Sequence, residues 1–326
     1  MRTLSARTEA WPLARPFTIS RGTKTTADVV VAEIEDQGVH GRGECVPYAR
    51  NGESVEAVLG TIAALAAEIE AGMDRIALQQ RLPAGAARNA LDCALWDLDA
   101  KTQDRRVWQT AGIQAPHPMP TAETIAIDTA ETMAARAYGL RDRPLLKLKL
   151  DADAVVERVG AVRAAVPHTR LIVDANESWD IALLERVGGM LAALDVEVIE
   201  QPLPAARDDE LSGFRSQVLL CADESCHTCR DLERLPDGYG MVNIKLDKAG
   251  GLTEALRLTT ATRASGRKVM VGCMVATSLG IAPATLLAPV ADVVDLDGPL
   301  WLAHDRGPSL RFEDGCVYPP DPALWG

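Results

Sequence analysis

The sequence predicts an α/β protein in which a mixed α+β segment precedes a parallel β/α barrel. Two observations carry that expectation. Charged residues end short branched-aliphatic runs at a steady interval: Lys149 in LLKLKL, Asp174 in LIVDAN, Glu200 in VEVIEQP, Asp223 in LLCADES and Lys245 in MVNIKLDK, spaced 25, 26, 23 and 22 positions apart. About 25 residues hold one strand, a loop, a helix and a return loop, the repeat of a barrel whose strand ends all open at one mouth. Unrelated solvated charges would not recur at the ends of buried apolar runs, because burying an unpaired charge is heavily penalised. The second observation is size: 326 residues, 47% of them hydrophobic, suffice for one large barrel plus a smaller domain.

The elements follow in order. Residues 1–50 read as strands, with ADVVVAEIED alternating before it runs apolar and with Gly38, Gly41 and Gly43 marking turns. Residues 53–70 read as one helix, since Val55, Leu59, Ile62, Leu65 and Ile69 share a face. Pro83-Ala84-Gly85 breaks the chain before a second helix, ARNALDCALWDLDAK, and Pro116, Pro118 and Pro120 mark a boundary. From residue 123 the rhythm becomes strand, helix, strand, helix. ETIAID is the first barrel strand, Val155, Val159, Val162 and Val166 stripe one helix, and Leu184, Val187, Leu191 and Leu194 stripe the next. VMVGCMV followed by SLGIAPATLLA reads as a buried strand, a loop and a core-facing helix, and DLDGP at 295–299 closes the last strand.

Composition excludes several classes. The net charge of −12 and the lack of a basic run argue against nucleic acid and against an anionic membrane surface. Residues 269–291 carry no formal charge and are long enough to span a bilayer, but Gly272, Ser278, Gly280, Pro283 and Pro289 interrupt them. Seven cysteines without a disulfide-like framework suit a reducing compartment, and MRTLSARTEAW lacks the apolar core of a secretory signal. The expectation is a cytoplasmic protein whose oligomeric state, homo-oligomer included, is left open.

Three acids converging at one mouth would repel each other and take up protons. A hard divalent cation removes that problem, and carboxylates plus water are what Mg²⁺ prefers, so Asp174, Glu200 and Asp223 are candidate metal ligands. The competing reading is that each acid caps a helix or pairs with an arginine. Lys147 and Lys149 lie two apart on a strand and share a face. Two close ammonium groups lower each other's proton affinity, which suits a base, while Leu146, Leu148 and Leu150 occupy the other face. Lys245 belongs to a strand across the barrel, so two lysines could address opposite faces of one carbon atom.

These motifs resemble the enolase superfamily, in its muconate-lactonizing branch. ALDCALWDL at 90–98 resembles the branch's first signature, and LKLK, VDANESW, EQP, ADES and NIK resemble its barrel-strand motifs in order. The resemblance implies a modified (β/α)₇β barrel over 116–304, an α+β capping domain over 1–115, and a tail over 305–326 returning to the cap. It further implies one Mg²⁺ on Asp174, Glu200 and Asp223, acid–base catalysis by Lys149 and Lys245, and an electrostatic role for Lys147. Asp295 and Asp297 form a DxD that resembles dipeptide epimerases, in which an acid there receives the substrate's ammonium. NGES, CADESCHT and MVNIKLDKAGG are similar to the epimerases acting on L-Ala-D/L-Glu in murein peptide recycling. The implied activity is epimerisation at the α-carbon of the dipeptide's C-terminal residue. Arg21, in a first-domain loop, is a candidate for an anionic substrate side chain, and Thr124 and Cys273 complete the substrate-contacting candidates.

Alternatives stay open on these residues. The competing reading of Asp297, before Gly-Pro, is a turn in which it bonds to nearby backbone. A superfamily lyase, making o-succinylbenzoate or dehydrating an acid sugar, would use the same machinery. An imine-forming aldolase would use a lysine as nucleophile. Cys226 and Cys229 form a CxxC without a second pair, which points to packing at a helix start, and His227 reads as structural rather than as a base.

Overall fold

A computed structural model of the chain describes residues 2–326. Three antiparallel strands open it: β1 (Thr3–Ile19), β2 (Gly22–Asp36) and β3 (Val39–Cys45), in the order β1-β2-β3. The second half of β2 is buried on both faces. Val30, Ala32 and Ile34 pack on the helices of the first domain, whereas Val29 and Val31 join the core of the barrel. One strand therefore belongs to both cores, and the first domain sits on the barrel through apolar contact rather than by a linker alone.

The helices of this domain span Val55–Ala64, Ala66–Glu70, Arg75–Arg81, Ala86–Thr102 and Val107–Ala111. The single helix expected over 53–70 is thus two helices. The chain tightens at Leu65, whose N–H bonds to the carbonyl three residues back, Ile62 (3.1 Å). Ser54 and Asp74 cap the helices that follow them by accepting from Ala57 N and Ala77 N. The long helix Ala86–Thr102 lies so close to β3 that a Cβ on Gly41 or Gly43 would run into the Ala94 or Ala90 carbonyl oxygen.

A short strand, β4 (Met119–Pro120), precedes eight parallel strands. They are β5 (Glu123–Ile125), β6 (Leu145–Lys149), β7 (Arg170–Asp174), β8 (Val196–Glu200), β9 (Leu219–Ala222), β10 (Met241–Ile244), β11 (Lys268–Gly272) and β12 (Val293–Asp295), hydrogen-bonded in sequence order. Closure between β12 and the start of β5 comes from Ala122 N donating to Val294 O (2.8 Å) and Leu296 N donating to Thr121 Oγ1 (2.9 Å). The core-facing helix expected after β11 is instead a four-residue helix, Ser278–Ile281, followed by 3₁₀ turns. Pro283 and Pro289 remove the N–H groups that a continuous helix would need.

The hairpin β13 (Phe312–Glu313) and β14 (Cys316–Val317) pairs with β4. The chain then returns to the first domain. The Trp325 side chain is fully buried and donates to Cys93 O (3.1 Å), and Gly326 N donates to Asp97 Oδ1 (2.7 Å). Among the described residues no helix is long and apolar enough to cross a membrane.

Candidate active site

Alternation along the strands builds the site in layers. The bottom of the barrel is plugged by one apolar side chain per strand. Two positions further up each strand the side chain points inward again. Leu145 is followed by Lys147, Ile172 by Asp174, Val198 by Glu200, Cys221 by Asp223, Met241 by Asn243 and Val293 by Asp295. Gly272 is the member of this layer on β11, and it has no side chain because Asn243 fills that space: a Cβ there would sit 2.5 Å from Asn243 Oδ1. Another two positions bring Lys149, Asn176, Lys245 and Asp297 to the mouth, around a cavity of about 770 Å³.

The layer of acids is laced with ammonium groups. Lys147 Nζ lies 3.2 Å from Asp174, 2.6 Å from Glu200 and 2.8 Å from Asp295. Lys149 pairs with Asp174 at 2.5 Å and Lys245 with Asp223 at 2.6 Å. Lys248, which also lines the cavity, lies 2.7 Å from the second oxygen of Asp223 and donates to the carbonyls of Asp223, Cys226 and Asn243. Asn243 donates to Glu200 Oε1 (2.7 Å).

These contacts set the proton affinities. Burial lowers that of Lys147, but the charges of Asp295, Glu200 and Asp174 outweigh it and hold Lys147 well above an ordinary lysine. The same contest, dominated on the raising side by Asp223, pushes Lys245 up. The lowering expected from two neighbouring ammonium groups is therefore reversed at Lys147, because acids rather than amines are its nearest neighbours. Burial opposes ionisation of Asp174, yet Lys149 and Lys147 hold it below the usual range. Glu200 is pushed up to about 7 by burial and by the charges of Asp174 and Asp223.

No three His, Cys, Asp or Glu side chains among the described residues are gathered closely enough to hold an ion as they stand; lysine ammonium groups are interposed. The donor set nevertheless fits a hard divalent cation. It is all carboxylate oxygen, and it retains buried oxygens without a hydrogen bond: Glu200 Oε2, which faces Lys147 off hydrogen-bond geometry, and Asp223 Oδ1, which faces Lys248 likewise. Lysines reach these acids on flexible four-carbon stems, so ammonium and cation are alternatives for the same oxygens.

The mouth carries the remaining candidates. Asp297 lies past the end of β12, and its Oδ2 accepts from Thr124 N (2.7 Å) and Trp301 Nε1 (3.3 Å). Burial and the charge of Asp295 push it up to about 6. Asp297 does open a 3₁₀ turn, its carbonyl accepting from Leu300 N (2.9 Å), but its carboxylate reaches across the barrel seam to Thr124 instead of closing on that turn's backbone. Thr124 and Cys273 both line the cavity. Arg21 also lines it, but its guanidinium, though partly exposed, is already engaged by Glu224 (2.7 Å), Tyr48 Oη (2.6 Å) and Asn176 O (2.8 Å).

Lys24, not singled out from sequence, lines the same cavity, stands over the Tyr48 ring at 5.6 Å and has no ion-pair or hydrogen-bond partner among the described residues. Burial lowers its proton affinity, and Asp28 only partly offsets that. Asn243 and Lys248 were also missed. Asn243 was legible as the residue two before Lys245 on an inward-facing strand, whereas Lys248 lies on the helix turn that follows and had no such signal. His227 is half-buried and neutral, held down to about 4 by burial and Lys248, and Cys229 begins a helix, Cys229–Leu232.

A capped parallel barrel whose mouth joins paired lysines to buried carboxylates defines an enolase-like acid–base enzyme. Residues 1–112 match the mandelate racemase / muconate lactonizing enzyme N-terminal domain, and residues 128–323 match the enolase C-terminal domain-like family. The chain belongs to this family. It is 50% identical to L-Ala-D/L-Glu epimerase of Escherichia coli (strain K12) over 98% of its own length and 100% of that protein's. An enolase family member from Agrobacterium tumefaciens with homology to dipeptide epimerases, solved with sodium and L-Ala-L-Glu, superposes with a TM-score of 0.97 at 50% identity, covering 100% of both chains. The dipeptide epimerase of Methylococcus capsulatus, solved with Mg and L-Arg-D-Lys, gives a TM-score of 0.89 at 33% identity, over 100% of this chain and 99% of that one.

Proposed function

We propose that the chain is a Mg²⁺-dependent dipeptide epimerase acting on L-Ala-D/L-Glu, inverting the α-carbon of the C-terminal residue by 1,1-proton transfer. The observation that carries this reading is the position of Lys149 at the end of β6 and of Lys245 just past the end of β10. Four strands apart in a ring of eight, they face the cavity from opposite sides. One removes the α-proton and the other delivers a proton to the opposite face.

Asp174, Glu200 and Asp223 would hold the cation, which supplies positive charge against the substrate's carboxylate and cancels the pull of these acids on the lysines. Lys147, buried and cationic, faces the negative charge that develops on that carboxylate. Asp297 is a carboxylate that a substrate ammonium would hold ionised, with Asp295 committed to Lys147 beside it. Lys24 is the free cation for an acidic side chain. A zwitterionic acidic dipeptide satisfies all three; an acid sugar or a succinylbenzoate precursor lacks the ammonium. The free thiols of all seven cysteines support a cytoplasmic setting, and the substrate would be a product of murein peptide breakdown.

Incubation with L-Ala-L-Glu and Mg²⁺ in D₂O tests this. Appearance of L-Ala-D-Glu with deuterium at the glutamate α-carbon is expected. Absence of α-exchange across a panel of L,L-dipeptides would reject the function.

A further inference from the structure

The signature helix Ala86–Thr102 belongs to the first domain, and nothing in the proton-transfer chemistry uses it. Its polar side chains nonetheless converge on the chain immediately after Lys245. Lys245 is the N-cap of the short helix Leu246–Ala249, and its carbonyl accepts from Lys248 N (3.1 Å) and Ala249 N (2.9 Å). That helix ends at Gly250, and Gly251 is the N-cap of the helix Leu252–Ala264.

Neither junction is capped by its own side chains; the first domain supplies both caps. Arg88 donates to Ala249 O (2.7 Å) and Gly250 O (3.0 Å), the carbonyls that end the short helix. One turn further along the same face, Asp92 Oδ2 accepts from Thr253 N (2.9 Å), one of the free N–H groups that begin the next helix. The signs are those that helix termini favour, a cation on exposed carbonyls and an anion on exposed N–H groups. Asn89 adds a bond to Asp247 (2.8 Å), and Trp96 a bond to Thr253 Oγ1 (2.9 Å).

The two glycines are what this arrangement requires. Gly250 and Gly251 have φ of 74° and 109°, and a Cβ on them would lie 2.5 Å from Arg88 Nε and from the Asp92 side chain, respectively. The glycine pair after Lys245 and the polar face of the signature helix are thus two halves of one contact.

We infer that Asp92, with Arg88, is a positioning residue for Lys245: the first domain clamps the turn after β10 in trans and so fixes where this lysine stands. The inference rests on Lys245 being one of the two bases. Lys149, on β6, receives no contact from this helix face, so loosening the clamp acts on one half-reaction. A displacement of about 1 Å in a reacting group costs on the order of 100-fold in rate.

The test is Asp92→Ala, read as the ratio of α-proton exchange rates from the two dipeptide epimers. A ratio is insensitive to the fraction of protein folded. Exchange from the epimer whose proton Lys245 removes should fall about 10-fold or more, with the other within about 3-fold. Asp92→Asn keeps an acceptor for Thr253 N and should restore the ratio. Peptide-level amide hydrogen exchange, done without substrate, should show faster exchange over 246–256 in Asp92→Ala and no change over 145–150. Equal loss from both epimers, or unchanged exchange over 246–256, overturns the clamp. A wild type that exchanges neither epimer overturns the dipeptide reading alone, and the substrate-free measurement then decides the clamp.

Discussion

Lys24 and Arg21 stand on the same rim, and their surroundings separate their roles. Arg21 is already neutralised, so an incoming carboxylate gains little from it, whereas Lys24 has no anion of its own. Lys24→Ala should cut kcat/KM for L-Ala-L-Glu by about 30-fold, roughly 2 kcal/mol of a charge-assisted contact, and change that for L-Ala-L-Leu by less than about 3-fold. Equal losses on both dipeptides would return the role to Arg21. The two bases should separate in the same way: Lys149→Ala and Lys245→Ala should each abolish α-exchange from a different epimer, and loss from the same epimer would end the two-base geometry. Asp247 offers a test of stability. It is partly buried without a cation partner, and desolvation raises it to about 7, opposed by its bonds from Val46 N and Asn89. A carboxyl with a folded value above its unfolded value binds more protons when folded, so its ionisation destabilises the fold progressively as pH rises from about 4 to 7. Both bonds fall on Oδ1, which asparagine retains. Asp247→Asn should therefore be more stable than wild type at pH 8, by about 2–4 kcal/mol at most, and the gain should vanish near pH 4. A pH-independent difference in denaturation midpoint would exclude this origin.

At the scale of elements, the barrel strands were legible because each carries its own register: an apolar plug residue, then a functional residue two places on. Sequence set Lys149, Asp174, Glu200, Asp223 and Lys245 in one row of strand ends; the structure splits that row, with Lys147 and Asn243 level with the acids and Lys149 and Lys245 two positions higher. The two-place rule applied to Met241 gives Asn243, which polar neutrality hid among charges. What sequence did not show is how elements meet at a distance. The glycines of β3 read as turn markers, and only the packed helix reveals that Gly41 and Gly43 lie mid-strand at a close crossing. Gly43→Ala should cost at least about 2 kcal/mol in denaturant unfolding, since backbone rather than a movable side chain blocks the new methyl. Gly60, on an open helix surface, should accept alanine with a gain of up to about 1 kcal/mol. A neutral result at Gly43 would mean that the strand–helix spacing gives way easily. The segment after β11 was misread for a related reason. Its apolar run is core-facing, but its shape is set by two prolines, and periodicity is blind to the loss of an N–H.

On the scale of the whole molecule, stability should answer to the cation. Mg²⁺ at 100 times its Kd should raise unfolding free energy by about 2.7 kcal/mol, and excess EDTA should remove both that increment and the activity. Insensitivity of both to EDTA would withdraw Asp174, Glu200 and Asp223 as ligands. Trp325→Ala, which empties a fully buried site, should cost about 3–5 kcal/mol and shift far-ultraviolet and tryptophan signals together. An earlier, separate transition of the first domain would contradict shared cores. The Trp325 contact also bears on the order in which the protein can be made. Cys93, whose carbonyl receives the indole, precedes Trp325 by 232 residues. During synthesis the strands and helices of the first domain leave the ribosome together, but one of their packing partners arrives only after every barrel strand has followed. The apolar flank of β2 likewise waits for barrel residues. The first domain thus spends most of translation as an unfinished surface, and the barrel it will cover is the segment that completes it.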